Sequence, residues 1–404
     1  MTRDEQLALV ARAVATLDPQ VVLGSALEAQ GRFDPPTTTN DWPVDYTRVL
    51  AWSKRKIAWL EEKNTAHRIQ SLKKFYAREE NCQHFINHWV DTHEPRNAGK
   101  VISIINGVKI FKPVTLPLVL FKRQDEMIQF IMACLDDEAP GLIEKSRDMG
   151  ATWVALAVSV WMWLFWSGST TGWGTATATK LDRSGDSGSI FEKLKNCIKG
   201  LPYFFQPVGL KHDRHLLDKR VSNPENGASI VGEIGAGIGR GSRTRIHFVD
   251  EAAHLEFPEQ VEAALSETTR VRIDISSVSG LGNVFHRTRQ GGKEWAPGQA
   301  VVHNRTNVFI MDWSSHPTKT QEWHDEKREY WESKGMPHVF ESEIERNYSA
   351  AVQGTIIPRK WLDACIDAHK LFPDMDDDAN LWFAGLDVAD SGQDRNALVK
   401  RQGW

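Results

Sequence analysis

Cysteine and tyrosine are scarce in this 404-residue chain, which has four cysteines and five tyrosines. Because the four cysteines are widely scattered, the sequence predicts no disulfide framework and favours a reducing compartment. A basic excess is also missing, since 49 Lys and Arg stand against 53 Asp and Glu. Any surface for nucleic acid must therefore be local.

The sequence also lacks a long apolar segment. Its N-terminus has no apolar stretch of the kind found in a secretory signal. The longest apolar run, 153–166, is interrupted by Ser159 and is too short to cross a bilayer. It predicts a buried helix, and we expect no membrane partner. The remaining composition, 41% hydrophobic and 25% charged, is typical of a globular protein.

The pattern along the chain divides it into four parts. Residues 1–109 predict a helical N-terminal region, with a short helix over 6–17 and helical spacing throughout 48–92. From about residue 110, β-branched runs alternate with amphipathic helices, which is the pattern of a parallel sheet in an α/β fold. An Asp-rich stretch, 356–380, is interpreted as a linker before a last part, 381–404. The predicted strands are 141–145, 174–179, 229–233, 245–249, 271–276 and 308–311.

The loop between strand 141–145 and the apolar helix is the first candidate for chemistry. A strand, a polar loop and a helix N-terminus form an anion site because backbone N–H groups converge there. The loop departs from the standard phosphate loop, since its first Gly is absent and Ala151 replaces the lysine. Lys145 could still reach the phosphates, and Thr152 keeps the hydroxyl position that holds Mg²⁺. An ordinary strand–turn–helix corner is the alternative. The candidate ATP-binding residues here are Lys145, Ser146, Arg147, Asp148, Met149, Gly150, Ala151 and Thr152.

A second candidate stands at the end of strand 245–249, where two carboxylates follow an apolar run. Asp250 would bind Mg²⁺, and Glu251 would act as general base on the attacking water. In a phosphate-loop ATPase, this motif and the loop are expected on neighbouring strands with their tips at one sheet edge. The long stretch between them leaves room for an intervening strand and helix, as in the ATPase division that uses a glutamate base. Carboxylates in a plain loop are the alternative.

Three weaker signals accompany these motifs. Gln124 offers a donor and an acceptor that match one edge of adenine, and Phe121 could stack on the ring. The glycine-rich stretch 232–241 brings Arg240, with Arg243 just beyond it, as a possible arginine finger. Small residues after strand 271–276 can sense a γ-phosphate, although a simple turn is the alternative reading. These residues are Ser276, Ser277, Ser279 and Gly280.

Taken together and in this order, the motifs resemble those of tailed-phage large terminase subunits. The resemblance is carried by segments 145–152, 239–241, 248–252 and 276–280. Some members of that family have a phosphate loop with its lysine displaced upstream, as here. Residues 309–313 with His316 and Pro317 are similar to the segment after the ATPase core. Residues 385–390 with Asp394 are similar to the first strand of the family's RNase H-like nuclease.

The resemblance implies an ASCE-type phosphate-loop ATPase over 110–355, with a lid or helical segment at its end. It implies an ATP- and Mg²⁺-dependent motor that drives double-stranded DNA, without sequence preference, into a prohead. The implied partners are the portal, a terminase small subunit and further copies in a ring, in the host cell cytoplasm. The resemblance implies Glu251 as the base, Ser277 and Gly280 as members of the coupling motif, and Asp387 as a ligand of a nuclease metal ion. With the candidates above, the residues predicted for catalysis are Glu251, Arg147, Arg240 and Arg243, and those predicted for coupling are Ser276, Ser277, Ser279 and Gly280.

Only 17 residues follow Asp387, so we expect 381–404 to hold an incomplete nuclease. Asp390 and Asp394 fall in the turn after the first strand, and 395–401 could begin a second strand. A lone hairpin cannot complete a two-metal site. We therefore expect a fragment or truncated product that hydrolyses ATP without endonuclease activity. Two other readings stay open: a nucleic-acid-remodelling ATPase of helicase type, and a catalytically dead assembly subunit.

Overall fold

The computed structural model describes residues 65–105, 107–349, 382–387 and 397–402. The chain divides into two compact units, Met1–Val352 and Gln353–Trp404. The helix predicted over 6–17, the first part of the helical stretch 48–92 and the linker 356–380 lie outside the described residues. Asp390 and Asp394 also lie outside them.

Two helices open the described part of the first unit. Helix α1 spans Thr65–Tyr76 and α2 spans Cys82–Trp89, with a 3₁₀ turn at Glu79–Asn81 between them. Their apolar side chains are buried at the predicted helical spacing, so the prediction of helices is confirmed here, although the stretch is broken at this turn. Both helices contribute to the same hydrophobic core as the sheet and helices that follow.

Short strands then replace the predicted helical region. They are β1 (Asp91–His93), β2 (Val101–Ile105), β3 (Val108–Phe111) and β4 (Thr115–Pro117). Strand β1 pairs with β4 and β2 with β3, each antiparallel. The prediction that 1–109 is helical is therefore wrong for this stretch. The reversal between β2 and β3 includes Gly107 at φ 77°, after an asparagine, and Asn-Gly is the strongest short-range hairpin signal.

A nine-stranded sheet forms the centre of the first unit. Its order is β12–β13–β5–β11–β10–β6–β9–β8–β7, and all pairs from β12 to β9 are parallel. Strands β8 and β7 extend it by antiparallel pairing. The predicted mainly parallel α/β fold is confirmed. The strands are β5 (Gly141–Lys145), β6 (Thr170–Thr175), β7 (Leu216–Leu217), β8 (Arg220–Ser222), β9 (Ser229–Ile234), β10 (Thr244–Asp250), β11 (Thr269–Ser276), β12 (Lys293–Glu294) and β13 (Asn307–Met311).

The predicted strands agree with this sheet except at β6. That strand begins and ends four residues earlier than the predicted span 174–179, and two glycines occupy its interior. A Cβ on Gly172 would lie 2.1 Å from Nδ1 of His247 on β10, and one on Gly174 would lie 2.9 Å from Ile238. These glycines permit close packing on one face of the sheet, which is a known role of glycine inside a strand.

The helices that follow cover the sheet. They are α3 (Lys122–Asp136), α4 (Ala151–Phe165), α5 (Ala178–Leu181), α6 (Ile190–Gly200), α7 (His212–His215), α8 (Pro258–Thr268), α9 (Val284–Gly291), α10 (Gln321–Ser333) and α11 (Pro337–Glu343). Helix α4 is the predicted apolar helix, and Trp161 and Trp163 are fully buried on it. No helix in the described ranges is long and apolar enough to span a bilayer.

The second unit is described only as a hairpin. Strands β14 (Trp382–Asp387) and β15 (Ala397–Gln402) pair antiparallel, close to the two predicted strands. Leu386, Leu398 and Val399 on these strands are each more than half exposed. Asp387 ends the first strand.

Candidate active site

The two main motifs lie at one edge of the sheet. Lys145 ends β5, Asp250 ends β10 and Ser276 ends β11, and all three strands are parallel. Their carboxyl ends therefore share an edge, as predicted. The expectation that the two motif strands are neighbours is wrong, because β11 pairs with both and lies between them. The strand that lies between them, β11, follows Asp250 in the chain.

The loop from Ser146 to Gly150 presents unpaired backbone donors. Asp148 and Gly150 have positive φ, at 61° and 71°, and Gly150 caps α4. Within the described residues, the backbone N–H groups of Asp148, Met149 and Gly150 donate to no hydrogen bond. The first turn of α4 adds further N–H groups that no helical carbonyl can pair. Donors grouped at a helix N-terminus are suited to bind an anion such as a phosphate.

Gln124 supports this loop from behind. Its Nε2 donates to the Met149 carbonyl at 3.1 Å, and its Oε1 accepts from the Phe121 N–H at 3.3 Å. A Cβ on Gly150 would lie 2.5 Å from the same Nε2, so glycine is required at that contact. Gln124 is buried, and both ends of its amide are engaged inside the protein. Gln124 therefore supports the loop, while its second N–H and second acceptor lone pair leave the predicted adenine contact a prediction.

Ser146 and Arg147 are bound by the chain that follows β13. The Ser146 N–H donates to Met311, and its hydroxyl donates to the Ile344 carbonyl at 2.7 Å. Because that hydroxyl is fully buried, we do not retain Ser146 as a side-chain contact to ATP. Arg147 donates its N–H to the Glu343 carbonyl at 2.6 Å, while its exposed guanidinium lies 3.2 Å from the Glu343 carboxylate.

Thr152 and Asp250 meet across the sheet edge. The Thr152 hydroxyl lies 3.2 Å from Oδ1 and 3.3 Å from Oδ2 of Asp250. Burial raises the pKa of Asp250, while the charge of Lys145 opposes that rise. Lys145 is itself buried beside the loop. A hydroxyl and a carboxylate are oxygen ligands of the kind that Mg²⁺ prefers, so the pair fits a Mg²⁺ site.

Glu251 has a strained backbone conformation. Its φ of 55° and ψ of 42° are left-handed, a conformation that costs energy for a residue with a Cβ. The side chain stays partly accessible, with its Oε2 3.9 Å from Nε2 of His254. The charge of Glu343 is the first cause that raises the pKa of Arg147, and the charge of Glu251 raises it further. Glu251 and Arg147 therefore face the same space.

The small residues after β11 connect to the Glu251 turn. The Ser276 hydroxyl accepts from the Ala253 N–H at 3.2 Å. Ser277 is fully buried, Ser279 accepts from Asn283 at the start of α9, and Gly280 has φ 72°. This segment therefore joins the carboxylate end of β10 to α9, and its role in coupling stays a prediction.

The two arginines of the glycine-rich stretch lie elsewhere. Arg243 immediately precedes β10, whose seven residues place it about 20 Å from Asp250, at the opposite end of the strand. The Arg240 guanidinium donates to the Ala236 carbonyl in its own loop. The distance excludes Arg243 as an arginine finger within the same chain, and in the described part of the chain Arg240 makes no hydrogen bond or ion pair with a residue of the site.

A cavity of about 630 Å³ opens beside the loop. One side is formed by the starts of α3 and α4 with the loop between Asp148 and Gly150, and the other by residues 92–119. Its walls offer both rings and charges. The residues of most interest for a ligand are Arg96, Asn97, Lys100, Lys112, Phe121, Trp153 and His316.

Two lysines near the site were not identified from the sequence. Lys193 on α6 is half-buried, 5.5 Å from the Trp153 ring centroid; burial lowers its pKa, and the charge of Asp250 raises it. Lys319 donates to the carbonyl of Arg147. In the sequence, each lysine lies in a charged or amphipathic stretch that is typical of a solvated surface, so no sequence signal identified either residue.

Strand order and site together define a class of protein. The order β13–β5–β11–β10–β6, with the loop after β5 and the carboxylates after β10, is that of a phosphate-loop ATPase fold of the ASCE type. The particular proteins whose solved structures are similar to this chain are phage large terminases. The Thermus phage P74-26 large terminase ATPase domain is 20% identical, with a TM-score of 0.38, over 52% of this chain and 88% of that domain.

Two other solved terminases are also similar to this chain. The HK97 bacteriophage large terminase is 14% identical, with a TM-score of 0.46, over 80% of this chain and 65% of that one. A large terminase from a thermophilic bacteriophage, solved in complex with ADP, is 14% identical, with a TM-score of 0.39. That match covers 56% of this chain and 53% of the ADP-bound one. No family model and no curated protein matches the sequence.

Proposed function

We propose that this chain is an ATP-hydrolysing motor subunit of a viral terminase, which drives double-stranded DNA into a prohead. The observation that carries the ATPase part is the contact between the Thr152 hydroxyl and Asp250. This contact links the N-terminus of α4, whose first N–H groups are unpaired, with the carboxylates at the end of β10. The order of the motifs along the chain supports the terminase part.

The proposed chemistry assigns a task to each group. The N–H groups of 148–152 and the Lys145 ammonium bind the phosphates, and the base and ribose occupy the cavity beside the loop. Thr152 and Asp250 would hold Mg²⁺, which when bound neutralises charge on the phosphates. Glu251 accepts a proton from the attacking water. The exposed Arg147 supplies positive charge at the transferred phosphate of its own or a neighbouring site.

The assembly and the substrate DNA belong to the same proposal. The motor works as a ring of copies on the portal, with a small subunit and non-specific DNA, in the host cytoplasm. Phosphate contacts would dominate DNA binding, so affinity should fall steeply as salt rises. Asp387 would be a metal ligand of an RNase H-like nuclease site.

The test is ATP hydrolysis by the purified full chain, with and without Mg²⁺, DNA and proheads. We expect hydrolysis that requires Mg²⁺ and rises when proheads are added. Hydrolysis stimulated by DNA but indifferent to proheads would favour a remodelling ATPase of helicase type. No hydrolysis under any condition would favour an inactive assembly subunit. Thr152→Val, which keeps the shape of the side chain and removes the hydroxyl, serves as the matched negative control.

A further inference from the structure

Lys319 is a buried lysine that inserts into the back of the phosphate loop. It follows β13 and precedes α10, and only 9% of its surface is exposed. Its Nζ donates to the Arg147 carbonyl at 2.5 Å and lies 3.6 Å from Sδ of Met149. The Trp323 ring centroid lies 4.8 Å from the same ammonium. The mechanism proposed above gives this residue no task.

The contact fixes the direction of a peptide group. A trans peptide is planar, so its C=O and N–H point in opposite directions. With the Arg147 carbonyl held by Lys319, the N–H of Asp148 must point away from Lys319. Gln124 holds the Met149 carbonyl in the same manner, and this directs the Gly150 N–H away from Gln124. Both of these N–H groups are unpaired in the described residues, so each of the two side chains fixes the direction of one free donor of the loop.

The loop has particular need of such support. The lysine that usually begins the helix is replaced by Ala151, and the first glycine of the standard loop is absent. A second ammonium bonded to the loop adds positive charge beside it. The charged groups facing Lys319 are Asp148 and Lys145 of the loop, Asp312 after β13, His316 beside it and Lys327 on α10.

We propose that Lys319 is a positioning residue of the phosphate loop, which orients the peptide between Arg147 and Asp148 for binding the phosphates of a nucleotide. The inference rests on the proposed function and deepens it. Burial lowers the pKa of Lys319 to about 8, against the opposing charge of Asp148. The ammonium is therefore mostly charged near pH 7 and is largely lost by pH 9, a change that a purely structural residue would not transmit to ligand affinity.

The test measures the affinity of the full chain for ADP by calorimetry between pH 7 and 9. Lys319→Met keeps the length of the side chain and removes the charge, and we expect it to weaken ADP binding by about tenfold or more at pH 7. Lys319→Arg should recover part of that loss. Lys334→Met, which changes an exposed lysine just after α10, is the matched control and should bind like the wild type. Wild-type affinity should fall towards pH 9, while that of Lys319→Met stays level.

Two failures are distinguishable. If the wild type binds ADP and Lys319→Met binds it equally well at every pH, the inference is wrong while the proposed function stands. If the wild type itself binds no nucleotide, the proposed function fails and the inference with it. Should Lys319→Met not fold, the wild-type pH series decides, since a level affinity from pH 7 to 9 would overturn the inference.

Discussion

Arg346 forms an ion pair with Glu144, the residue that precedes Lys145. Its Nη1 lies 2.5 Å from Oε1 of Glu144, and its Nη2 lies 2.7 Å from Oδ2 of Asp312. The other Glu144 oxygen accepts from Arg289 at 3.0 Å and from the Tyr348 hydroxyl at 2.7 Å. A carboxylate that is 2% exposed is thus fully paired by groups from two distant segments, α9 and residues 346–348. The end of the first unit is thereby attached to the strand that carries the phosphate loop.

Breaking this pair should cost stability. Arg346→Met leaves the Glu144 carboxylate buried with one cation fewer, and removing one partner of a buried pair typically costs about 3–5 kcal/mol. The control is Arg147→Met, because its pair with Glu343 involves a guanidinium that is 67% exposed and should contribute below about 1 kcal/mol. Urea unfolding gives both free energies. Equal losses in the two variants would contradict the prediction.

Glu251→Gln tests the general base. The change keeps the shape of the side chain and removes its basicity, so ATP turnover should fall by about 10²–10⁴. Nucleotide binding should be retained, because the donors of the loop and Thr152 are untouched. Turnover and ADP binding, measured on the same sample, check both halves. Glu256→Gln, a nearby acid outside the site, is the control, and a Glu251→Gln variant with full activity would remove the assignment.

Substitutions of Lys145 and Arg147 should have different effects on nucleotide binding and turnover, although the two residues are only two positions apart. Lys145 is buried and close enough to Asp250 for its charge to oppose the rise that burial causes in that carboxyl's pKa, whereas the Arg147 side chain is exposed. Lys145→Ala should therefore weaken nucleotide binding by about tenfold or more, the loss expected for a charged hydrogen bond. Arg147→Ala should mainly lower turnover. If binding is lost in Arg147→Ala and kept in Lys145→Ala, the two roles must be exchanged.

Local signals predicted the elements of this site well. Strand β5 and helix α4 begin and end close to the predicted residues because a short apolar run and a long one flank a polar loop. Thr152 and Asp250 were both identified from their positions after a strand. The hairpin at 101–111 was missed, since helical spacing upstream outweighed the Asn-Gly turn signal at Gly107.

Local sequence patterns could not identify the residues that support the phosphate loop. Lys319, Glu343 and Arg346 contact residues 144–147 from more than 170 positions away. Nothing in a one-dimensional sequence distinguishes a buried lysine that bonds a loop carbonyl from an exposed one on a charged helix. The same limit applies to Gln124, because the sequence does not show that its amide bonds Phe121 and Met149.

His247 should make the fold sensitive to acid. It lies on β10 and is 1% exposed, and neither of its ring nitrogens has a hydrogen-bond partner in the described part of the chain. Burial, with the charge of Arg272, lowers its pKa from 6.5 to about 3. The unfolded state therefore binds a proton below pH 6.5 that the folded state does not bind until about pH 3. The free energy of unfolding should fall over this window by up to about 1.4 kcal/mol per pH unit.

A variant without the imidazole tests this directly. In His247→Leu the site carries no titrating group, so the loss of stability between pH 8 and pH 5 should be smaller than in the wild type by about 2 kcal/mol. His303→Leu removes an exposed histidine and should keep the wild-type dependence. Chemical denaturation at both pH values supplies the comparison. Parallel curves for wild type and His247→Leu would mean that the buried imidazole is protonated in the folded state, with a partner that compensates its charge.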